Sequence, residues 1–177
     1  ALEIGASLLI PYSVTLPAGF SLRGTDPEKC VLSFNNGDGL GLTADNELSD
    51  LIIQTNPSNR AIYTLSDRSD LGTLKLTNLT VTGQVQIVTR MGTKKATLIA
   101  DNIDVVSCDA RRYSEQPQKY GVNVYQGAFT VYNFNGDPNS TINATLSNIS
   151  VGRKNAPVIG SGLFICGFGD QGGQVLV

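Results

Sequence analysis

The stretch Leu74–Gly83, L-K-L-T-N-L-T-V-T-G, constrains this chain most. Apolar residues alternate with polar ones, and an Asn interrupts the pattern just before its second half. Looser copies recur as L-S-D-L-I-I (Leu48–Ile53), I-A-D-N-I-D-V (Ile99–Val105) and L-S-N-I-S-V (Leu146–Val151). A half-buried strand phrase that returns at a roughly fixed interval is the mark of stacked repeats, each needing a neighbour to cover its apolar ladder and its open backbone edges.

Two alternating series run along the chain. The first holds L-I-I (51–53), L-T-V (79–81), I-D-V (103–105) and I-S-V (149–151). Its intervals, from Leu51 to Leu79 to Ile103 to Ile149, are 28, 24 and 46 residues. The last is twice 23, so a missing copy is expected near residue 126, where A-F-T-V-Y-N-F-N-G (128–136) stands. The second series holds L-G-L (40–42), A-I-Y (61–63), V-Q-I (85–87), V-N-V (122–124) and L-F-I (163–165). Asp50, Asn78, Asn102 and Asn148 each precede a buried-type Leu or Ile, a placement that suits corners at which the amides bond backbone or stack in a ladder.

Composition agrees with an all-β chain. There are 19 Gly and no Trp, and only 16% of residues are charged. Asn, Ser and Thr, rather than the Glu, Lys and Ala of helical proteins, write most of the polar surface. A length of 177 residues suits one domain, 1–177, and the ends read as an excerpt of a longer chain. No charged n-region with an apolar h-region opens it, and no apolar run reaches transmembrane length.

The same composition narrows function. A net charge of −2 and the absence of a G-x-G-x-x-G before a helix argue against nucleic-acid or nucleotide partners. With no His and no C-x-x-C, a zinc site is not expected. Cys30 and Cys166 stand in apolar runs and read as buried free thiols, whereas Cys108 follows V-V-S and reads as more exposed. Arg90 with Lys94 and Lys95 reads as solvated loop charge.

Two excursions break the regularity. Residues 107–121 carry charge, Pro and Tyr without β periodicity and are expected to project as a loop. Residues 134–143 are a turn cluster. Insertions of this kind commonly carry the binding face of a repeat protein. Tyr113, Tyr120, Tyr125 and Tyr132 fall close together beside Asn123, Asn133 and Asn135, so aromatic stacking on sugar faces is one reading and sheet packing the other. Tyr113 and Tyr120, with Arg111 and Arg112, are the candidate carbohydrate-binding residues.

The opening V-T-L-P-A-G-F-S-L-R-G-T-D-P-E-K-C-V-L-S-F and the phrases N-L-T-V, N-I-D-V and N-I-S-V resemble the right-handed parallel β-helix, or pectin-lyase-like, superfamily. The resemblance covers essentially the whole chain and implies an all-β solenoid with a coil of about 22–28 residues. A β-sandwich is the alternative for short strands. The superfamily hosts many activities. Its hydrolases carry a G-H-G and an Asp-Asp pair that this chain lacks, and methylesterase motifs are not apparent. Its lyases hold calcium on clustered Asp beside a basic residue, which implies Asp101, Asp104 and Asp109 near Arg111 and Arg112 as a Ca²⁺ site. Unbroken alternation puts Asp101 and Asp104 on opposite faces, and a corner at Asn102 would reunite them. The expected function is a non-catalytic structural or glycan-binding module, without cofactor, at the cell surface or outside the cell, with a polysaccharide or wall glycan as partner. The alternative is a calcium-dependent lyase acting on acidic polysaccharide.

Overall fold

The computed structural model describes residues 1–65, 70–90, 92–113, 126–156, 158–167 and 172–177. The strands are short at first: β1 (Leu2–Ile4), β2 (Leu8–Ile10), β3 (Val14–Thr15), β4 (Ser21–Gly24), β5 (Val31–Phe34) and β6 (Leu40–Leu42). Longer ones follow: β7 (Glu47–Gln54), β8 (Arg60–Thr64), β9 (Gly72–Thr82), β10 (Gln84–Thr89) and β11 (Lys95–Asp109). The rest are β12 (Gly127–Asn133), β13 (Thr141–Val151), β14 (Val158–Ile159), β15 (Ser161–Cys166) and β16 (Gln174–Leu176).

These strands build two sheets. A ten-stranded sheet has the main order β1-β4-β7-β9-β11-β13-β16, with β2, β5 and β14 beside that path. A six-stranded sheet has the order β15-β12-β10-β8-β6-β3. All pairings between these strands are parallel. That excludes an antiparallel sandwich. From β6 onward the chain visits the six-stranded sheet before each return to the main path of the larger one, so every pass lies on the one before it.

The register stacks like on like. Leu51 pairs with Leu79, Leu79 with Ile103, and Ile103 with Ile149. In the smaller sheet Leu40 pairs with Ile62, Ile62 with Val85, Val85 with Phe129, and Phe129 with Leu163. The inward rows of both sheets meet in one apolar core containing Leu48, Leu76, Val81, Val85, Ile103 and Phe129. Gln84–Thr89 and Gly127–Asn133 are buried throughout, so their outward polar residues are enclosed as well as their inward apolar ones.

The first sheet keeps its alternation through one recurrent device. Asp50, Asn78, Asn102 and Asn148 have φ of 58°, 52°, 54° and 53°, the left-handed conformation that Asn and Asp tolerate best. Each breaks the period of two. Thr77 and Asn78 both turn outward before Leu79 re-enters the core, and Asp101 and Asn102 do the same before Ile103. The amides bond to the neighbouring pass rather than to backbone: Asn78 Nδ2 donates to Asp50 Oδ1 at 2.9 Å, and Asn102 Nδ2 to Asn78 Oδ1 at 3.0 Å. Arg23 Nε closes the row on Asp50 at 3.2 Å, while Asn148 donates to Asp101 rather than to Asn102. Gly83, with φ of 110°, answers a different need, since a Cβ there would collide with Thr55 Oγ1.

Two expectations are corrected. No copy of the first series sits near residue 126: β11 pairs directly with β13, and the stretch expected to fill the gap forms β12 of the other sheet. The 46-residue interval is therefore a single lengthened pass, because stacking fixes the strands and leaves the connections free to grow. Residues 122–124, assigned to the second series, lie outside the described residues, and Phe129 holds that register position instead. Cys108 is also not exposed. A register shift between Val105 and Ser107 turns it inward, and it is 1% exposed. Burial pushes its thiol up to about 12. Cys30 is a buried free thiol as expected, and Cys166 is a half-buried one.

The corner geometry predicts an inverted substitution order. Asn78→Ala forces an alanine into the left-handed region and should lose roughly 1–2 kcal/mol. Asn78→Gly, ordinarily the worse choice inside a strand, should lose less. Urea denaturation of the two variants checks the order, and Ala at or above Gly would contradict it.

Candidate functional site

The carboxylates expected to gather calcium each have their own partners. Because Asn102 resets the alternation, Asp101 and Asp104 both face outward from the first sheet. Asp101 Oδ1 accepts hydrogen bonds from Ser147 Oγ at 2.7 Å and from Asn148 Nδ2 at 2.9 Å. Asp104 accepts from Ser150 Oγ at 2.8 Å and pairs with the Arg153 guanidinium. Asp109 closes β11 and is clasped by Arg111, with the Nη2–Oδ2 contact at 2.7 Å and Nε–Oδ1 at 2.9 Å. Asp101 and Asp104 thus bridge to the next pass, while Asp109 folds back on its own chain. Among the described residues no group of three or more His, Cys, Asp or Glu is placed to hold a metal ion.

These partners hold two carboxyls below the usual carboxylate range. For Asp101 the hydrogen bonds from Ser147 and Asn148 dominate, and for Asp109 the hydrogen bond from Arg111 does. Both stay ionised and accepting at neutral pH, Asp101 as an anchor between strands and Asp109 as a clasp on the turn that follows β11.

The expected carbohydrate-binding residues divide. Arg111 begins as the second residue of a 3-10 helix, Ala110–Tyr113, that follows directly on β11. Strand therefore continues to Asp109, into the stretch 107–121 expected to lack it. Tyr120 and Tyr125 lie outside the described residues, as do the side chains of Arg112 and Tyr113. Tyr132 is buried among rings, 5.3 Å from Phe134 and 5.5 Å from Phe164 between centroids. Asn135 is buried with its amide donating to the carbonyls of Arg90 and Thr93, and Asn133 donates to that of Ser140. Those two amides serve the fold, not a ligand.

A hollow that sequence reasoning missed opens on the six-stranded sheet. It has a volume of about 300 Å³ and is lined by Arg60, Tyr63, Thr64, Leu65, Gln86, Val88 and Arg90. Arg60 is anchored by Asp38, with Nη2–Oδ2 at 2.6 Å and Nε–Oδ2 at 3.0 Å, and its guanidinium lies 4.2 Å from the Tyr63 ring centroid. Its Nη1 donates to Gln86 Oε1 at 3.2 Å, and Gln86 Nε2 donates to Gln126 Oε1 at 2.7 Å. The Tyr63 ring spreads over Gly41 of the neighbouring strand, where a Cβ would sit 3.1 Å from the ring. The Arg90 guanidinium lies 5.2 Å from the Phe134 centroid. Superposing A-I-Y on V-Q-I in the second series would have set Tyr63 beside Ile87; the observed register is one residue away, with Ile62 on Val85 and Tyr63 on Gln86.

No protein-family model matches the chain, and no curated protein or solved structure gives a match.

The lowered carboxyl of Asp101 fixes a pH signature. Its folded value lies below the unfolded carboxylate value of about 3.9, so its contribution is present above that pH and fades as pH falls through the folded value. Asp101→Asn should melt lower than the wild type at neutral pH, and the gap should narrow below about pH 4. Melting curves across pH check this, and a gap unchanged from neutral pH to acid would contradict it.

Proposed function

We propose that this chain is a parallel β-helix module with a non-catalytic role, a rigid stack that holds its outer surface out for binding glycans. The observation that carries the reading is the use made of its carboxylates. Asp38, Asp50, Asp101 and Asp104 are each committed to side chains on a neighbouring pass. Groups so committed maintain the stack, and a general acid or base needs a proton free to move near neutral pH. The alternation of the two sheets, with like residues in register over successive passes, supports the β-helix form of the reading.

The glycan part draws support from surface chemistry. Amides, hydroxyls and guanidinium groups beside aromatic rings are the usual means of reading sugar hydroxyls, and the hollow at Arg60, Tyr63 and Gln86 has them. In this reading Arg111 and Arg112, with Tyr113 and Tyr120, extend the contact surface. An outer face written in Thr, Ser and Asn suits a cell-surface or extracellular protein, and a wall polysaccharide is the partner it favours.

The test is a screen of immobilised neutral and acidic glycans for retention, followed by incubation of retained glycans with the protein, with and without calcium. Retention with no new reducing ends and no unsaturated product is the expected outcome. Calcium-dependent appearance of unsaturated product would replace this reading with a lyase.

A further inference from the structure

The hollow on the six-stranded sheet has an inventory of charge and donors that selects among ligands. Two guanidinium groups line it, but they differ. Arg60 is neutralised by Asp38 at 2.6 Å. Among the described residues Arg90 makes no ion pair and no side-chain hydrogen bond, and its guanidinium lies 5.2 Å from the Phe134 ring centroid. Among the described residues the site therefore carries one uncompensated positive charge. Its other polar groups are donors with capacity to spare. Among the described residues the Tyr63 hydroxyl has no hydrogen-bond partner, and Gln86 Nε2 uses one of its two hydrogens on Gln126. The Gln86 acceptor oxygen is already taken by Arg60, and Thr64 Oγ1 is engaged with the backbone of Val88.

We propose that this hollow binds a single carboxylate-bearing ligand, with Arg90 as the charge partner, Tyr63 and Gln86 as further donors, and the hydroxyls beside the carboxylate facing the rest of the cleft. A guanidinium meets a carboxylate through two parallel N–H···O bonds, and one positive charge balances one negative charge. A phosphate dianion would leave a charge uncompensated. A neutral sugar would leave the guanidinium as it is and gain no ion pair. The volume of about 300 Å³ accepts a group of monosaccharide size. The same carboxylate can belong to a uronate unit of a glycan or to a free small hydroxy acid. The inference rests on the binding reading above and names the chemistry that this one site selects.

The experiment is titration of the full chain with glucuronate, glucose and acetate, followed by amide NMR shifts. The wild type is compared with Arg90→Gln and Tyr63→Phe, and thermal melts verify that both variants fold. Glucuronate should shift amides in 60–65 and 84–90. Arg90→Gln should weaken it roughly tenfold or more, and Tyr63→Phe roughly threefold. Glucuronate binding tighter than acetate assigns the site to a uronate unit, and equal binding assigns it to small carboxylates; either outcome supports the proposal. Glucose binding as tightly as glucuronate, no glucuronate binding at all, or full binding in a folded Arg90→Gln variant would overturn it. Where one of those results overturns the proposal, glycan retention through another face would still leave the binding reading of the module standing.

Discussion

Parallel pairing in register is the constraint on which the rest of this structure depends. A strand laid beside a copy of itself places Leu on Leu and Thr on Thr, so whatever one pass does with a residue the next pass must accommodate. Apolar residues gain from that rule because each row buries its neighbours. Charged residues lose by it, since like charges would face each other. The outer rows resolve the conflict by alternating partners, with Asp101 against Ser147 and Asp104 against Ser150, and Glu47 paired with Lys75. The left-handed Asn and Asp residues extend the same logic to the backbone. They shift the inward phase at one level of every long strand, and Asp50, Asn78 and Asn102 then bind each other across passes while Asn148 binds Asp101.

This architecture has a consequence for chemistry. Polar groups on the strands are held at fixed spacing by the pairing, which suits recognition, but Asp38, Asp50, Asp101 and Asp104 spend lone pairs on the adjacent pass. What remains available lies where neighbouring passes differ most. The six-stranded sheet is such a place. Gly41, Tyr63, Gln86 and Thr130 occupy one register row, so a small residue, a ring, an amide and a hydroxyl replace a uniform ladder. The hollow forms around that irregular row.

Much of the fold was legible in the sequence because its signal is local and repeated. The row Leu51, Leu79, Ile103, Ile149 stands out in the sequence, and the residue preceding each member has positive φ, as Asp45 also does. The misread interval before Ile149 had the right length for two passes, and length alone cannot distinguish two short connections from one long one. The inward turn of Cys108 depends on a one-residue register shift that leaves no mark in residue type. The hollow was hidden for another reason. Arg60, Tyr63, Gln86 and Arg90 belong to two strands and their ends, each ordinary by itself, and Arg90 reads as loop charge until Phe134 is placed beside it.

The most direct test of this account is the pattern of interstrand NOEs in solution around Ile103. Direct parallel pairing predicts backbone contacts from Ile103 to both Leu79 and Ile149, together with contacts from Val85 to Phe129. Contacts from Ile103 to residues 128–133 in place of Ile149, or an antiparallel pattern at either neighbour, would contradict the stacking on which every other argument stands.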